Sequence, residues 1–228
     1  MRIGVLLSGC GVYDGAEIHE SVITLLALDR AGASVRCMAP DVPQLHVVDH
    51  RTGAVVEGET RNVLTEAARI CRGAIEDAAG VDPDELDALI LPGGFGAAKN
   101  LSTFAVEGDG CSVDPAAARL VLAMLDAKKP VGAICIAPAV VAAILRDAGR
   151  TGQVTVGLAQ GDNAGAGAAI EAMGVTHLAC PVTEIRIDDA LGLVTTPAYM
   201  EAGRISEAAE GIEALVARVL ELAAAARA

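Results

Sequence analysis

The sequence predicts an α/β protein in which a mainly parallel sheet carries helices on both faces, and three observations lead there. Apolar strand-like runs alternate with helical stretches along the 228 residues, the pattern of repeated strand–helix units. Helix limits are marked by their own chemistry: Asp114-Pro115 reads as an N-cap followed by proline at the first helical position, and Gly32 and Gly174 stand where helices stop. Glycine-rich segments follow the first and third apolar runs, where the loops of an open α/β sheet bind ligands.

Taken in order, strands are expected near 2–8, 34–39, 87–91, 131–134 and 154–157, and helices near 16–31, 60–71, 114–127, 136–147, 163–173 and 204–226. Val182–Ile187 and Leu193–Thr196, joined by Asp188-Asp189-Ala190-Leu191-Gly192, read as a hairpin added to the sheet. Residues 42–59 are the least regular and are expected to form a small flap. The alanine-rich C-terminus is ordinary helix composition. A chain of this length can bury roughly 70% of its unfolded surface, so one domain over 1–228 is expected.

Leu7-Ser8-Gly9-Cys10 resembles a lipoprotein cleavage box, but the apolar run before it, Ile3 to Leu7, falls short of the roughly 7–15 residues a secretory signal needs. It reads instead as a buried first strand. No run approaches the ~18 apolar residues of a membrane span. A net charge of −13 argues against nucleic acid and anionic membranes as partners, since both reward clustered Lys and Arg. The six cysteines, at 10, 37, 71, 111, 135 and 180, show neither CxxC pairs nor Cys/His ligand spacing. No metal site or disulfide framework is signalled, and reduced thiols in a cytoplasm are expected. His46 and His50 are four apart in a β-like stretch and read as surface residues.

Cys135 is the leading functional candidate. Lys-Pro-Val-Gly-Ala-Ile-Cys-Ile-Ala-Pro, residues 129–138, sets a thiol where a short apolar strand meets a new helix. A sharp turn of that kind requires small neighbours two residues either side, and Ala133 and Ala137 supply them. The N–H groups that open the helix favour a thiolate and an oxyanion beside it. The segment fits a buried core cysteine equally well. Two further loops belong to the same end of the sheet. Ser8 to Glu17 delivers Glu17 to a helix start, a position that a dipole-favoured surface carboxylate also fits. Pro92 to Asn100 brings Gly94, whose N–H can complete an oxyanion hole with that of Ile136. This loop lacks both the GxGxxG spacing and the GK[ST] ending of nucleotide-binding loops.

Together, Gly-Ala-Glu at 15–17, Leu-Pro-Gly-Gly-Phe-Gly at 91–96 and the Cys135 turn resemble the PfpI-type branch of the class I glutamine amidotransferase-like superfamily. Longer strings narrow this. Leu7 to Gly15, Thr60 to Leu64, Gly93 to Leu101, Cys135 to Pro138 and Thr195 to Met200 resemble the ElbB-type isoprenoid biosynthesis glyoxalases nearly end to end, with the largest departure at 147–170, around the glycine- and alanine-rich Gly161–Gly167. The resemblance implies a flavodoxin-like three-layer sandwich, no cofactor and a homodimer. It also implies that Glu17 is the carboxylic acid hydrogen-bonded to a reactive Cys135 thiolate.

Two absences set limits. The PfpI-type peptidases have histidine directly after the cysteine, where this chain has Ile136, and the amidotransferase histidine and acid have no counterpart in Thr196-Pro197-Ala198-Tyr199. Proteolysis and glutamine hydrolysis are therefore disfavoured. His177 and His19 are the histidines that can reach the pocket, and Cys10 and Asn100 are further candidates on neighbouring loops. The resemblance implies a glyoxalase reaction on glyoxal or a similar small-molecule carbonyl, with Cys135 forming a hemithioacetal and Glu17 moving a proton between adjacent carbons. The competing reading is a redox-responsive or carbonyl-scavenging interaction protein, with Cys135 oxidised and Cys10 as its resolving thiol.

Overall fold

The computed structural model describes residues 1–158 and 160–227. A seven-stranded sheet runs in the spatial order β10-β11-β7-β6-β1-β2-β5. Its strands are β1 (Arg2–Leu6), β2 (Ser34–Ala39), β5 (Ile75–Asp77), β6 (Ala88–Leu91), β7 (Val131–Ile134), β10 (Arg186–Asp188) and β11 (Leu193–Thr196). All neighbours are parallel except β10 and β11, which pair as the antiparallel hairpin expected from the sequence, with Ile187 opposite Val194. The chain moves outward from β1 through β2 to β5, then returns to β6 on the other side of β1. Between β1 and β6 lies the reversal of strand order at which open α/β sheets bind ligands.

Period-two alternation splits the strands between two cores. Ile3, Val5, Ala88 and Ile90 face the layer that holds α1 (Ile18–Arg30) and α8 (Ile205–Ala226). Leu6, Leu89, Leu91, Val131 and Ala133 face the layer of α5 (Pro115–Asp126) and α6 (Ala137–Asp147). This is the flavodoxin-like three-layer arrangement. Each fully buried leucine or isoleucine here contributes about 1.5–3 kcal/mol. Gly132 lets α8 approach closely, since a Cβ there would sit 2.8 Å from a Leu215 methyl carbon. α6 is buried on every side from Ala137 to Leu145, which explains a helix with apolar residues all round. Asp114 caps α5 by accepting from the N–H groups of Ala116 and Ala117, both at 3.0 Å, as Asp114-Pro115 predicts.

Several elements differ from the expectation. The flap at 42–59 contains a minimal hairpin, β3 (Val48–Asp49) with β4 (Ala54–Val55). The helix expected over 60–71 is only α2 (Val63–Ala67), because the chain turns at positive φ at Arg72 and Gly73 to make the edge strand β5. The strand expected at 154–157 does not enter the main sheet. Gln153–Val154 (β8) pairs instead with Thr176–His177 (β9) as a separate two-stranded sheet, with α7 (Ala164–Ala172) between them. Two short helices, α3 (Phe95–Lys99) and α4 (Phe104–Glu107), fill a stretch left without secondary structure. Ala159, within the divergent 147–170 segment, lies outside the described residues. No described helix is long and apolar enough to cross a membrane.

Candidate active site

Four loops meet at the carboxyl ends of β1, β6, β7 and β11, and backbone hydrogen bonds fix their positions. Glu17 N–H donates to Gly93 O at 3.0 Å, Phe95 N–H to Val12 O at 2.7 Å, and Cys135 N–H to Thr196 O at 2.9 Å. The last of these holds Cys135 in the left-handed region at φ 62°. A non-glycine residue there costs on the order of 1–3 kcal/mol and persists only where the surroundings enforce it. Cys135 is 7% exposed and lies on a cleft of about 310 Å³. Val12, Phe95, Ile136 and Met200 form apolar walls, while Glu17, Asn163 and Tyr199 supply the polar groups.

Three groups address the thiol. The backbone N–H groups of Gly94 and Ile136 face the Cys135 sulfur and favour its anion. Ile136 is the N-cap of α6 and no side chain caps that terminus, so its N–H remains free for the sulfur or for an oxyanion formed beside it. The third group is a carboxyl, and it belongs to Glu20. Glu20 is fully buried, and its carboxyl lies beside Cys135 across the position that a Gly93 side chain would take. Its two oxygens accept from the N–H groups of Gly93 at 2.9 Å and Tyr199 at 3.3 Å.

The sequence-based assignment of that role to Glu17 is therefore corrected. Glu17 does line the cleft, but it is the N-cap of α1, and its Oε2 folds back to accept the Glu20 N–H at 2.7 Å. One turn further on, Glu20 reaches under Gly93 to the sulfur. A Cβ on Gly93 would lie 2.5 Å from Cys135 Cβ and 2.8 Å from Glu20 Oε2. Only glycine leaves the room in which carboxyl and thiol meet. Burial, reinforced by the Glu17 charge, pushes Glu20 up to about 8, against the donation from Tyr199 and Gly93. Burial also pushes the Cys135 thiol up, and a charged Glu20 adds to this. The two groups thus share protons: once the first is lost, the remaining one serves whichever partner is the anion.

The other candidates fall into two groups. His19 reaches the cleft indirectly, with its Nδ1 2.8 Å from the Tyr199 hydroxyl. His177, Cys10 and Asn100 do not line the cleft. His177 Nε2 accepts from Val156 N–H at 3.2 Å, and burial lowers its pKa. Cys10 sits among Glu66, Arg69, Asp14 and Arg61, and burial raises its pKa. Asn100 is a clasp whose side-chain amide donates to Ser8 O and Asp14 O while its oxygen accepts from Leu45 N–H. It binds the first loop to the flap. His50 does the same from the other side, with Nε2 accepting from Tyr13 N–H and Nδ1 bonded to Val48 O. Among the described residues, no group of three or more His, Cys, Asp or Glu side chains gathers to hold a metal.

Sequence reasoning missed Glu20, Asn163 and the placement of Tyr199. A signal for Glu20 was present. Glu20, Ser21, Thr24 and Leu28 share the buried side of α1, so an ionisable group recurs in phase with the core-facing positions. Asn163 gave no comparable sign. It stands in the glycine- and alanine-rich stretch, and its side-chain amide donates to Met200 O across the cleft.

A flavodoxin-like sheet with a strained cysteine at a strand–helix turn, two amides facing its sulfur and a buried carboxylic acid beside it defines an α/β protein of the class I glutamine amidotransferase-like fold. The DJ-1/PfpI family model matches residues 10–176, and the chain belongs to that family. It is 49% identical to the human mitochondrial glutamine amidotransferase-like class 1 domain-containing protein 3, over 97% of this chain and 83% of that protein. It is 47% identical to the rat mitochondrial ES1 protein homolog, over 97% and 84%. Among solved structures, the isoprenoid biosynthesis protein with amidotransferase-like domain from Ehrlichia chaffeensis superposes with a TM-score of 0.88 at 36% identity, covering 97% of this chain and 99% of that one.

These relatives overturn the expected cytoplasmic location, because the human and rat proteins are mitochondrial. Unpaired cysteines distinguish a reducing from an oxidising compartment and do not choose among reducing ones.

Proposed function

We propose that the protein is a cofactor-independent glyoxalase of the ElbB type that converts glyoxal, or a similar small reactive carbonyl, into a hydroxy acid. The observation that carries this reading is the buried Cys135–Glu20 pair beneath the Gly94 and Ile136 amides. Nucleophile, proton carrier and oxyanion donors suit addition to an aldehyde followed by transfer of a carbon-bound proton. Hydrolysis of a peptide or of glutamine requires an acid to protonate an amine leaving group, and the residue after Cys135 is Ile136, whereas an aldehyde has no such leaving group.

In this mechanism the reactive form of the pair has lost one proton and holds the other on Glu20, and the Cys135 thiolate attacks one aldehyde carbon, C1. The new oxyanion is held by the N–H groups of Gly94 and Ile136 and takes the Glu20 proton, giving the hemithioacetal and leaving Glu20 as a carboxylate. The Glu20 carboxylate removes the C1 hydrogen as the C2 oxygen takes a proton, giving an enediol, and then returns its proton to C2 as the C1 oxygen loses one. The product is a hydroxyacyl thioester on Cys135. Water adds to the thioester carbonyl, the C1–S bond breaks, the sulfur leaves with a proton, and glycolate is released.

The test is glycolate formation from glyoxal by wild type and Cys135→Ser at matched folding. Saturable turnover should fall by at least about 10³-fold in the variant, as expected when a nucleophile is removed. Activity retained within about threefold would remove Cys135 from the mechanism. Slow, substoichiometric carbonyl loss by wild type would instead assign the protein to scavenging.

A further inference from the structure

In the isomerisation of hemithioacetal to thioester proposed above, protons move on carbon and on oxygen, and Glu20 accounts only for the one on carbon. The hydrogen that leaves C1 and arrives at C2 is the one carried by Glu20. In passing from hemithioacetal through enediol to thioester, the C2 oxygen must also gain a proton and the C1 oxygen must lose one. The later attack of water on the thioester releases a further proton. A carboxyl already hydrogen-bonded by two backbone N–H groups, and fully buried, has no route of its own to solvent.

Tyr199 stands where that second route is required. Tyr199 lines the cleft with Cys135, and its backbone N–H is bound to Glu20, so the residue is anchored beside the carboxyl. Its hydroxyl is 2.8 Å from His19 Nδ1, and the two rings lie 5.7 Å apart at a 47° tilt. His19 is exposed on the first turn of α1. The chain of groups therefore runs from the cleft to bulk water through one phenol and one imidazole. It also explains how the site works without a histidine after the cysteine.

Resting on the glyoxalase reading, we propose that Tyr199 is a catalytic residue that carries the oxygen-bound protons of the reaction, and that His19 is the positioning residue and proton relay connecting it to solvent. As the C1 hydrogen goes to Glu20, the Tyr199 O–H gives its proton to the C2 oxygen, and His19 Nδ1 replaces it. When the enediol collapses, the C1 oxygen returns a proton to Tyr199 and so to His19, and no net charge remains. In the hydrolytic step the same path accepts the proton of the attacking water. Burial raises the Tyr199 phenol, with Glu17 and Glu20 adding to the effect, so it retains its proton between turnovers.

The experiment measures kcat and KM for glycolate formation in wild type, Tyr199→Phe and His19→Ala, each with and without millimolar imidazole, alongside melting temperature and iodoacetamide labelling of Cys135. Tyr199→Phe should lower kcat by about 10²-fold with KM changed less than about threefold, because it removes a proton carrier and keeps the ring. His19→Ala should lower kcat at least about tenfold and recover with imidazole, which replaces a proton relay but repairs no packing. Labelling of Cys135 should be unchanged in both. His19 is exposed, so its variant carries the test even where Tyr199→Phe fails to fold. If both variants keep kcat within threefold, or His19→Ala is impaired and imidazole does not restore it, the relay is wrong while the glyoxalase reading stands. A wild type that consumes no carbonyl removes that reading and the relay with it.

Discussion

The Glu20 carboxyl and the Cys135 thiol meet in a space that only a glycine at position 93 leaves open, and each group alters the protonation of the other. Glu17, three residues earlier in the chain, acts on this pair through its charge and through the N–H it caps. The two glutamates should therefore separate cleanly on mutation. Glu20→Gln keeps the size and an acceptor for Gly93 but cannot carry a proton, so glycolate formation should fall by roughly 10²–10⁴-fold while iodoacetamide still labels Cys135. Glu17→Gln keeps the cap and should cost no more than about 1 kcal/mol of stability. Turnover should persist, with its pH midpoint moved downward because the charge that raises Glu20 is gone. Normal turnover in Glu20→Gln would return the acid's role to Glu17.

The pH dependence follows from the same pair. Near pH 7 Glu20 holds its proton, since its folded pKa is raised to about 8. The first proton leaves as pH climbs through about 8, and the thiol proton can then move to the carboxylate, so alkylation of Cys135 should accelerate over that interval. Stability should move the opposite way. A carboxyl whose folded pKa lies above its unfolded value binds the extra proton in the folded state, so its contribution is complete below about pH 4.5 and is lost as pH rises through about 8. The loss is on the order of a few kcal/mol. Urea midpoints at pH 5, 6.5 and 8 should fall more steeply for wild type than for Glu20→Gln, and equal slopes would rule out an ionisation at Glu20.

Glycine substitutions test the geometry without replacing a titratable residue. Gly93→Ala forces a methyl against Cys135 Cβ at 2.5 Å and against Ile134 O at 2.9 Å. Overpacking of this kind costs about 1–3 kcal/mol. Activity should be lost with it, because Glu20 must move away from the sulfur. Gly80→Ala meets nothing within 4 Å and serves as the control, neutral or stabilising by up to about 1 kcal/mol. If Gly93→Ala is as active as the control, the thiol and carboxyl do not need their present separation.

The parts of this protein that could be read from its sequence are those where local chemistry and tertiary structure agree. Asp114-Pro115 starts a helix whichever sheet it packs on, and Ile3 to Leu7 is apolar enough to be buried on both faces. The Cys135 turn was visible because small residues flank the thiol. Elements fixed by distant contacts were not visible. β5 exists because Cys37 to Ala39 offers it an edge, and β8 leaves the main sheet because Gln153–Val154 finds Thr176–His177 instead. In the site, Glu17 and Glu20 are equivalent letters in the sequence, and only the start of α1 at Ile18 makes one a cap and the other a buried acid. His19 and Tyr199, 180 residues apart, meet only once β11 lies beside β7.

The helix that carries Glu20 also leads to a prediction about assembly. α1 turns polar residues inward, Glu20, Ser21 and Thr24, and leaves Ile18, Val22 and Leu26 at 44%, 46% and 41% exposure along its outer side. The spacing of four places these three on one stripe, with His19 about 100° round the helix from Ile18. An apolar stripe outside and a polar face inside reverses the usual amphipathic order, and a two-fold partner covering the stripe would account for it. Wild type should therefore run as a homodimer by light scattering at micromolar concentration, and Val22→Glu combined with Leu26→Glu should yield a folded monomer. Cys135 and Glu20 meet within a single chain, so the monomer should retain Cys135 labelling. A monomeric wild type, or a double variant that still dimerises, would place the two-fold contact elsewhere or remove it.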